Sequence, residues 1–102
     1  MQNIDAEEKD LFQAILKLGS LDECYRFFHD LCAPNELKKM KERWKVCQLL
    51  AKGDLSYRDI SKITGVSLTT IGRVARFLKE DQFQGYRLIL DKMNRENTNS
   101  RH

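Results

Sequence analysis

The chain has 102 residues, which is enough for one domain and too few for a multidomain enzyme or a large barrel. Hydrophobic residues make up 41% of it and charged residues 32%, a balance that excludes a disordered chain. The formal net charge of +3 conceals a net −5 over residues 1–36 and +8 over residues 37–79, so a basic middle segment faces either solvent or a polyanion.

Targeting signals are not visible in the sequence. No stretch reaches the roughly 18 consecutive apolar residues of a membrane span, and the acidic start MQNIDAEEKD lacks the basic and apolar regions of a signal peptide. We therefore expect a cytoplasmic protein without membrane contacts. Cys24, Cys32 and Cys47 are an odd number of cysteines, which predicts reduced thiols rather than a disulfide framework.

Few turn-forming residues interrupt the chain, since it has five glycines and one proline, and this favours an all-α fold. An apolar stripe predicts a first helix over residues 5–18 that Gly19 can end. Ser20 and Glu23 have the spacing of a capping box and begin a second helix. That helix is apolar on almost every side, so we expect it to be deeply buried.

A third, longer helix is predicted from Pro34 to Gly53, because proline is tolerated in the first turn of a helix. Its apolar residues recur at alternating spacings of three and four, which is typical of a seam that pairs with another helix. We interpret Trp44, which lies on this seam, as a core or interface residue rather than a stacking platform. So short a chain cannot cover such stripes on every helix, and we expect a homodimer.

The segment over residues 56–79 has the order of a helix-turn-helix. Ser56 and Asp59 form a second capping signature, Gly65 suits a sharp turn, and Ser67 can cap a fifth helix that ends near Lys79. A sixth helix is predicted over residues 85–93. The tail 94–102 has no apolar residue and is expected to be disordered, which leaves residues 1–93 as a single all-helical DNA-binding domain.

The helix-turn-helix prediction points to double-stranded DNA. Its segment holds five basic residues against one acidic residue, and the second helix of such a motif enters the major groove with its first residues. The residues expected to face DNA on that helix are Ser67, Leu68, Thr69, Gly72, Arg73 and Arg76. A glycine inside a helix costs roughly 1 kcal/mol relative to alanine. We favour close approach of Gly72 to DNA over a mobile helix as the explanation.

Residues 34–79 resemble the Trp repressor superfamily without a gap, and the whole chain is similar to its YerC/YecD branch. The most specific match is LLAKGDLSYRDISKITGVSLTTI. This resemblance implies a six-helix, intertwined homodimer whose two helix-turn-helix segments enter successive major grooves. It places Arg58 at the family's guanine-reading position, and it places Leu68, Thr69 and Gly72 at positions that contact the operator.

The resemblance also implies a ligand pocket, in which Arg43 and Arg73 occupy the places of the two arginines that sandwich the corepressor's indole. Thr70 lies near this pocket. The chain departs from the family's tryptophan binders at three positions. Where they have threonine, glycine and serine, this chain has Ala33, Val74 and Phe77, in that order. We therefore do not expect L-tryptophan as ligand. Either Phe77 fills the pocket and no effector is needed, or another small molecule binds between the two arginines.

The function predicted from the sequence is a sequence-specific transcriptional regulator, a repressor that binds a two-fold operator as a homodimer. The expected phosphate contacts come from Lys52, Lys62, Arg76 and Lys79. The alternative is a helical protein-interaction module without a specific DNA target.

Neither a catalytic constellation nor a metal site is predicted. The spacing of Cys24, His29 and Cys32 does not favour a metal site, because five residues of helix turn His29 about 140° away from Cys24. Structural thiols are the favoured interpretation.

Overall fold

The computed structural model describes residues 3–80 and 82–100, with side chains up to residue 97 in the last helix. These ranges contain six α-helices and no strand, which confirms the all-α prediction. The helices are α1 (Ala6–Ile15), α2 (Leu21–Leu31), α3 (Pro34–Lys52), α4 (Tyr57–Thr64), α5 (Leu68–Lys79) and α6 (Gly85–Ser100). The chain divides into two compact units, one up to Leu37 and one from Lys38 onwards. That residues 1–93 act as one domain stays a prediction.

Side-chain hydrogen bonds to the first turn stabilise the N-terminal ends of α1 and α2. The Asp5 carboxylate accepts from the Glu8 backbone N–H at 2.8 Å, and this bond, with help from the Glu8 side chain, holds the pKa of Asp5 below its ordinary value of 3.8. Ser20 Oγ accepts from the Glu23 N–H at 3.1 Å, as predicted. A complete capping box also has the Glu23 carboxylate accepting from the Ser20 N–H. That part of the prediction is wrong, because the Glu23 carboxylate accepts from the Gly19 N–H at 2.8 Å instead.

The predicted deep burial of α2 is wrong for a single copy of the chain. No residue of α2 is buried, and Leu21 is 90% exposed. Cys24 and Cys32 are half-buried rather than enclosed as structural thiols. The unit that contains α2 ends at Leu37, and so short a segment can bury only a small fraction of its own surface.

The core of the second unit is formed by the end of α3 together with α4, α5 and α6. Its buried residues are Val46, Cys47, Leu49, Ile60, Val66, Ile71, Val74 and Leu78. Trp44 packs against this core, with its ring centroid 6.4 Å from that of Tyr86, which confirms its interpretation as a core residue. Burial also raises the pKa of the Cys47 thiol.

Residues 56–67 follow the predicted capping and turn pattern. Ser56 Oγ accepts from Asp59 N–H at 3.1 Å, and Asp59 accepts from Ser56 N–H at 3.3 Å, so this capping box is complete. Gly65 has φ +75°, the left-handed conformation that few other residues tolerate. Ser61 Oγ donates to the Val66 carbonyl at 2.7 Å and ties α4 to the turn. The relative placement of α4 and α5 is therefore fixed by local bonds.

The prediction of a disordered tail is wrong as far as Ser100, because α6 continues to that residue. Adding a residue to an existing helix costs far less than starting one, and Arg95 and Glu96 are good helix formers. The apolar stripe that ends at Met93 starts the helix, and the polar residues extend it. Positions 101 and 102 of the predicted tail lie outside the described residues.

Candidate nucleic-acid interface

α5 has one buried face and one exposed polar face. Ile71, Val74, Ala75 and Leu78 form the buried face. The predicted DNA-facing side chains lie on the surface, and Leu68, at the start of the helix, is 50% exposed. The exposed ones on α5 and its N-cap are Ser67, Leu68, Thr69, Arg73, Arg76 and Lys79. This arrangement leaves the first turn and one side of α5 free to contact a ligand.

α4 adds two exposed cations to the same segment. Arg58 and Lys62 are four residues apart, about one helical turn, so they share one side of α4. Ile60 lies between them in sequence, on the side that packs into the core. Lys52, the last residue of α3, is also exposed. The structure thus brings no predicted phosphate-contacting cation into the protein interior.

Gly72 lies in the middle of α5 and has no packing reason to be glycine. A methyl group built at this position would meet no atom within 4 Å. A collision inside the protein therefore does not explain the residue. The missing side chain faces open space, next to the exposed polar face of α5.

Two arginines of α5 converge on one aromatic ring. The Arg73 guanidinium carbon lies 4.7 Å from the centroid of the Phe77 ring, and that of Arg76 lies 5.3 Å from it. Arg76 Nε also lies 3.5 Å from a Glu80 carboxylate oxygen, one helical turn further on. Cation–π contacts of this kind restrict where the guanidinium groups lie. The Glu80 contact was not anticipated from the sequence.

A cavity of about 340 Å³ opens beside Phe77. Four of the five predicted pocket residues line it, namely Arg43, Arg73, Val74 and Phe77. Its other lining residues, which the sequence analysis missed, are Phe83, Gln84, Gly85 and Tyr86. The missed residues belong to the connection after α5 and to the start of α6. Their only sequence signal is the pair of aromatic residues at positions 83 and 86.

Thr70 lies on a different, neighbouring cavity of about 400 Å³ at the start of α5. Thr70 Oγ1 accepts a hydrogen bond from Ser67 Oγ at 3.1 Å. Three cations, Lys39, Arg43 and Arg73, line the same cavity. Positive side chains beside a helix N-terminus attract anions, because the first backbone N–H groups point outward there.

Within residues 3–80 and 82–100, no three His, Cys, Asp or Glu side chains are grouped as metal ligands. No helix in the described part of the chain combines the length and apolar character that crossing a membrane requires.

Comparisons with known proteins agree with this geometry. Residues 6–94 match the family model of the Trp repressor protein. The chain is 40% identical over 94 residues to the uncharacterized protein YerC of Bacillus subtilis (strain 168), covering 92% of this chain and 88% of that one. A Trp operon repressor homolog of Aliivibrio salmonicida (strain LFI1238) is 41% identical over 49 residues, 48% of this chain and 45% of its own.

A solved structure extends the match to the fold. The crystal structure of a TrpR like protein from Eubacterium eligens ATCC 27750 superposes with a TM-score of 0.80 at 38% identity, covering 88% of this chain and 91% of that one. The match to the family model covers most of the chain, and the relatives agree with it. The chain belongs to the Trp repressor family.

Proposed function

We propose that this protein is a sequence-specific regulator of transcription that binds double-stranded DNA as a homodimer and represses by occupying a two-fold operator. The observation that carries the proposal is the exposed cationic face of α4 and α5, opposite a face buried in the core. A regulator of this kind acts in the cytoplasm, where bacterial DNA lies. Its family is one of regulators and not of enzymes, which supports a role without catalysis.

Two groups of residues have different roles in the proposed interface, one contacting phosphates and the other contacting bases. Lys52, Lys62, Arg76 and Lys79 contact phosphates and supply affinity that does not depend on sequence. Arg58 and the first turn of α5, with Leu68 and Thr69, contact base edges and supply sequence choice. Arg73 can contact a phosphate from the exposed side of α5 while its guanidinium remains near Phe77.

The homodimer is supported by the apolar surface of the first unit. Six large apolar residues of α1, α2 and their connection are exposed in one copy, namely Leu11, Phe12, Leu16, Leu21, Tyr25 and Leu31. Several large apolar side chains exposed within one short segment are typical of an interface with another chain. Two copies would present two DNA-reading segments related by a two-fold axis.

Selection of bound fragments from a random pool of duplex DNA tests the function. We expect enrichment of an inverted repeat whose half-sites are separated by about one helical turn, roughly 34 Å. A pool that remains random, together with a monomeric protein, would contradict the proposal and favour the helical protein-interaction module.

We further propose that Phe77 takes the place of an aromatic effector, so that DNA binding needs no corepressor. The Arg73 guanidinium already lies over the Phe77 ring, at 4.7 Å from its centroid, whereas in the presence of a ligand it would lie over that ligand. Isothermal titration with L-tryptophan is therefore expected to show no binding at micromolar concentrations, and protein refolded without ligands should bind DNA fully. Micromolar binding would contradict this. DNA binding that needs a cell extract would favour another small molecule between Arg43 and Arg73.

Gly72→Ala is expected to stabilise the fold and weaken DNA binding. The added methyl group meets no protein atom, so the free energy of unfolding should rise by about 0.5 to 1 kcal/mol. The same methyl group would obstruct the approach of DNA and so weaken binding. The matched control is Gly65→Ala, which should destabilise by about 1 to 2 kcal/mol because of its φ of +75°. Urea unfolding and duplex titration measure the two effects. Unchanged duplex affinity in Gly72→Ala would show that the glycine serves something other than close approach.

A further inference from the structure

Arg76, on the exposed face of α5, already has an acidic partner within the protein. Its Nε atom lies 3.5 Å from a carboxylate oxygen of Glu80, and its guanidinium carbon lies 5.3 Å from the centroid of the Phe77 ring. Glu80 is the C-cap of α5 and follows Arg76 by one helical turn. The guanidinium therefore lies between a carboxylate and an aromatic ring when no DNA is bound.

The stability of α5 does not explain the position of Glu80. A carboxylate at the C-terminal end of a helix lies beside the negative end of the helix dipole, where a cation would be favoured. An arginine placed four residues before a glutamate is also the less favourable order for such a pair on a helix. The two side chains are 62% and 46% exposed, so solvent screens their attraction. The contact adds little to the fold, and its main effect is on what Arg76 can bind.

Glu80 and a DNA phosphate offer Arg76 the same kind of partner. Each presents negatively charged oxygens that accept hydrogen bonds from a guanidinium. A phosphate that approaches Arg76 must either displace the Glu80 carboxylate or come close to its negative charge. Displacement gives up the contact between Arg76 and Glu80, and close approach adds repulsion between like charges. Duplex binding is weakened in both cases.

We propose that Glu80 competes with DNA phosphates for Arg76 and thereby lowers the affinity of the protein for every duplex. This role rests on the proposed function, in which Arg76 contacts a phosphate. Because phosphate contacts carry no sequence information, the loss of affinity applies equally to the operator and to unrelated DNA. Glu80 thus adjusts how tightly the protein binds DNA, whereas Arg58 and the first turn of α5 decide which sequence it prefers.

Neutralising Glu80 in the full chain tests the competition. Glu80→Gln keeps the size of the side chain and the backbone N–H that bonds to the Arg76 carbonyl at the end of α5. It is expected to raise duplex affinity by roughly threefold to tenfold at low salt, since a dimer contains the contact twice. The gain should be the same for the selected operator and for an unrelated duplex. Fluorescence anisotropy measures both affinities.

Two controls separate the competition from a general effect of charge. Asp91→Asn removes an exposed carboxylate of α6 and changes the net charge equally, so it should raise duplex affinity by less than about twofold. In an Arg76→Gln background, where the contact is absent, Glu80→Gln should likewise change affinity by less than about twofold.

The outcomes distinguish this competition from the proposed function itself. A gain from Glu80→Gln that is no larger than that of Asp91→Asn, or that persists in full without Arg76, would overturn the competition and leave the proposed function standing. A gain confined to one sequence would overturn it as well. If neither the unmodified protein nor Glu80→Gln binds any duplex, the proposed function fails and the competition fails with it.

Discussion

Arg58→Ala is expected to lose preference at one base pair of each half-site, by about 1 to 3 kcal/mol, because an arginine can bind guanine through two hydrogen bonds. Arg58 is exposed in the first turn of α4, and no described residue forms an ion pair with it. Fluorescence anisotropy with the selected duplex and with its single-base variants measures the preference. The variant should bind all substitutions at that position almost equally.

Lys79→Ala is the control for Arg58→Ala. Lys79 is the last residue of α5 and is proposed to contact a phosphate, so its loss should weaken binding to all sequences alike. The slope of log K against log salt should fall by about one. If Arg58→Ala keeps the preferred sequence while Lys79→Ala changes it, the two roles are assigned wrongly.

Ile71→Ala should be among the most destabilising single substitutions in the α4–α5 segment. Ile71 has no exposed surface and packs in the core of the second unit, so its truncation leaves a cavity. We expect the free energy of unfolding to fall by about 2 to 5 kcal/mol. Urea denaturation followed through Trp44, the only tryptophan of the chain, measures the change.

Ile63→Ala provides the matched comparison, since it removes the same atoms from an exposed isoleucine of α4. It should change the free energy of unfolding by no more than about 0.5 kcal/mol. Similar losses in both variants would mean that the separation of buried and exposed faces along α4 and α5 is incorrect.

The segment from Ser56 to Lys79 was predictable because its structure depends on local signals. A hydroxyl and a carboxylate three residues apart define the start of α4, and Gly65 alone permits the backbone conformation of the turn. The buried isoleucines and valines follow the helical period. Each of these features can be derived without knowing what lies elsewhere in the chain.

Features that depend on tertiary contacts were not predictable in the same way. The apolar pattern of α2 indicates burial but does not say which surface would cover the helix, and Leu21 is exposed in one copy. Phe83 and Tyr86 join Phe77 only because the connection after α5 returns to the pocket. The Glu23 carboxylate accepts from the Gly19 N–H rather than from the Ser20 N–H, and sequence spacing alone does not decide between these two donors.

The account depends on the α4–α5 segment being a DNA-binding surface, and titration of the unmodified protein with double-stranded DNA at low ionic strength tests this most directly. We predict binding whose log K falls linearly with log salt, by about 0.9 for each phosphate contact. Protein that binds no duplex at the lowest salt concentration, while remaining folded, would contradict the account.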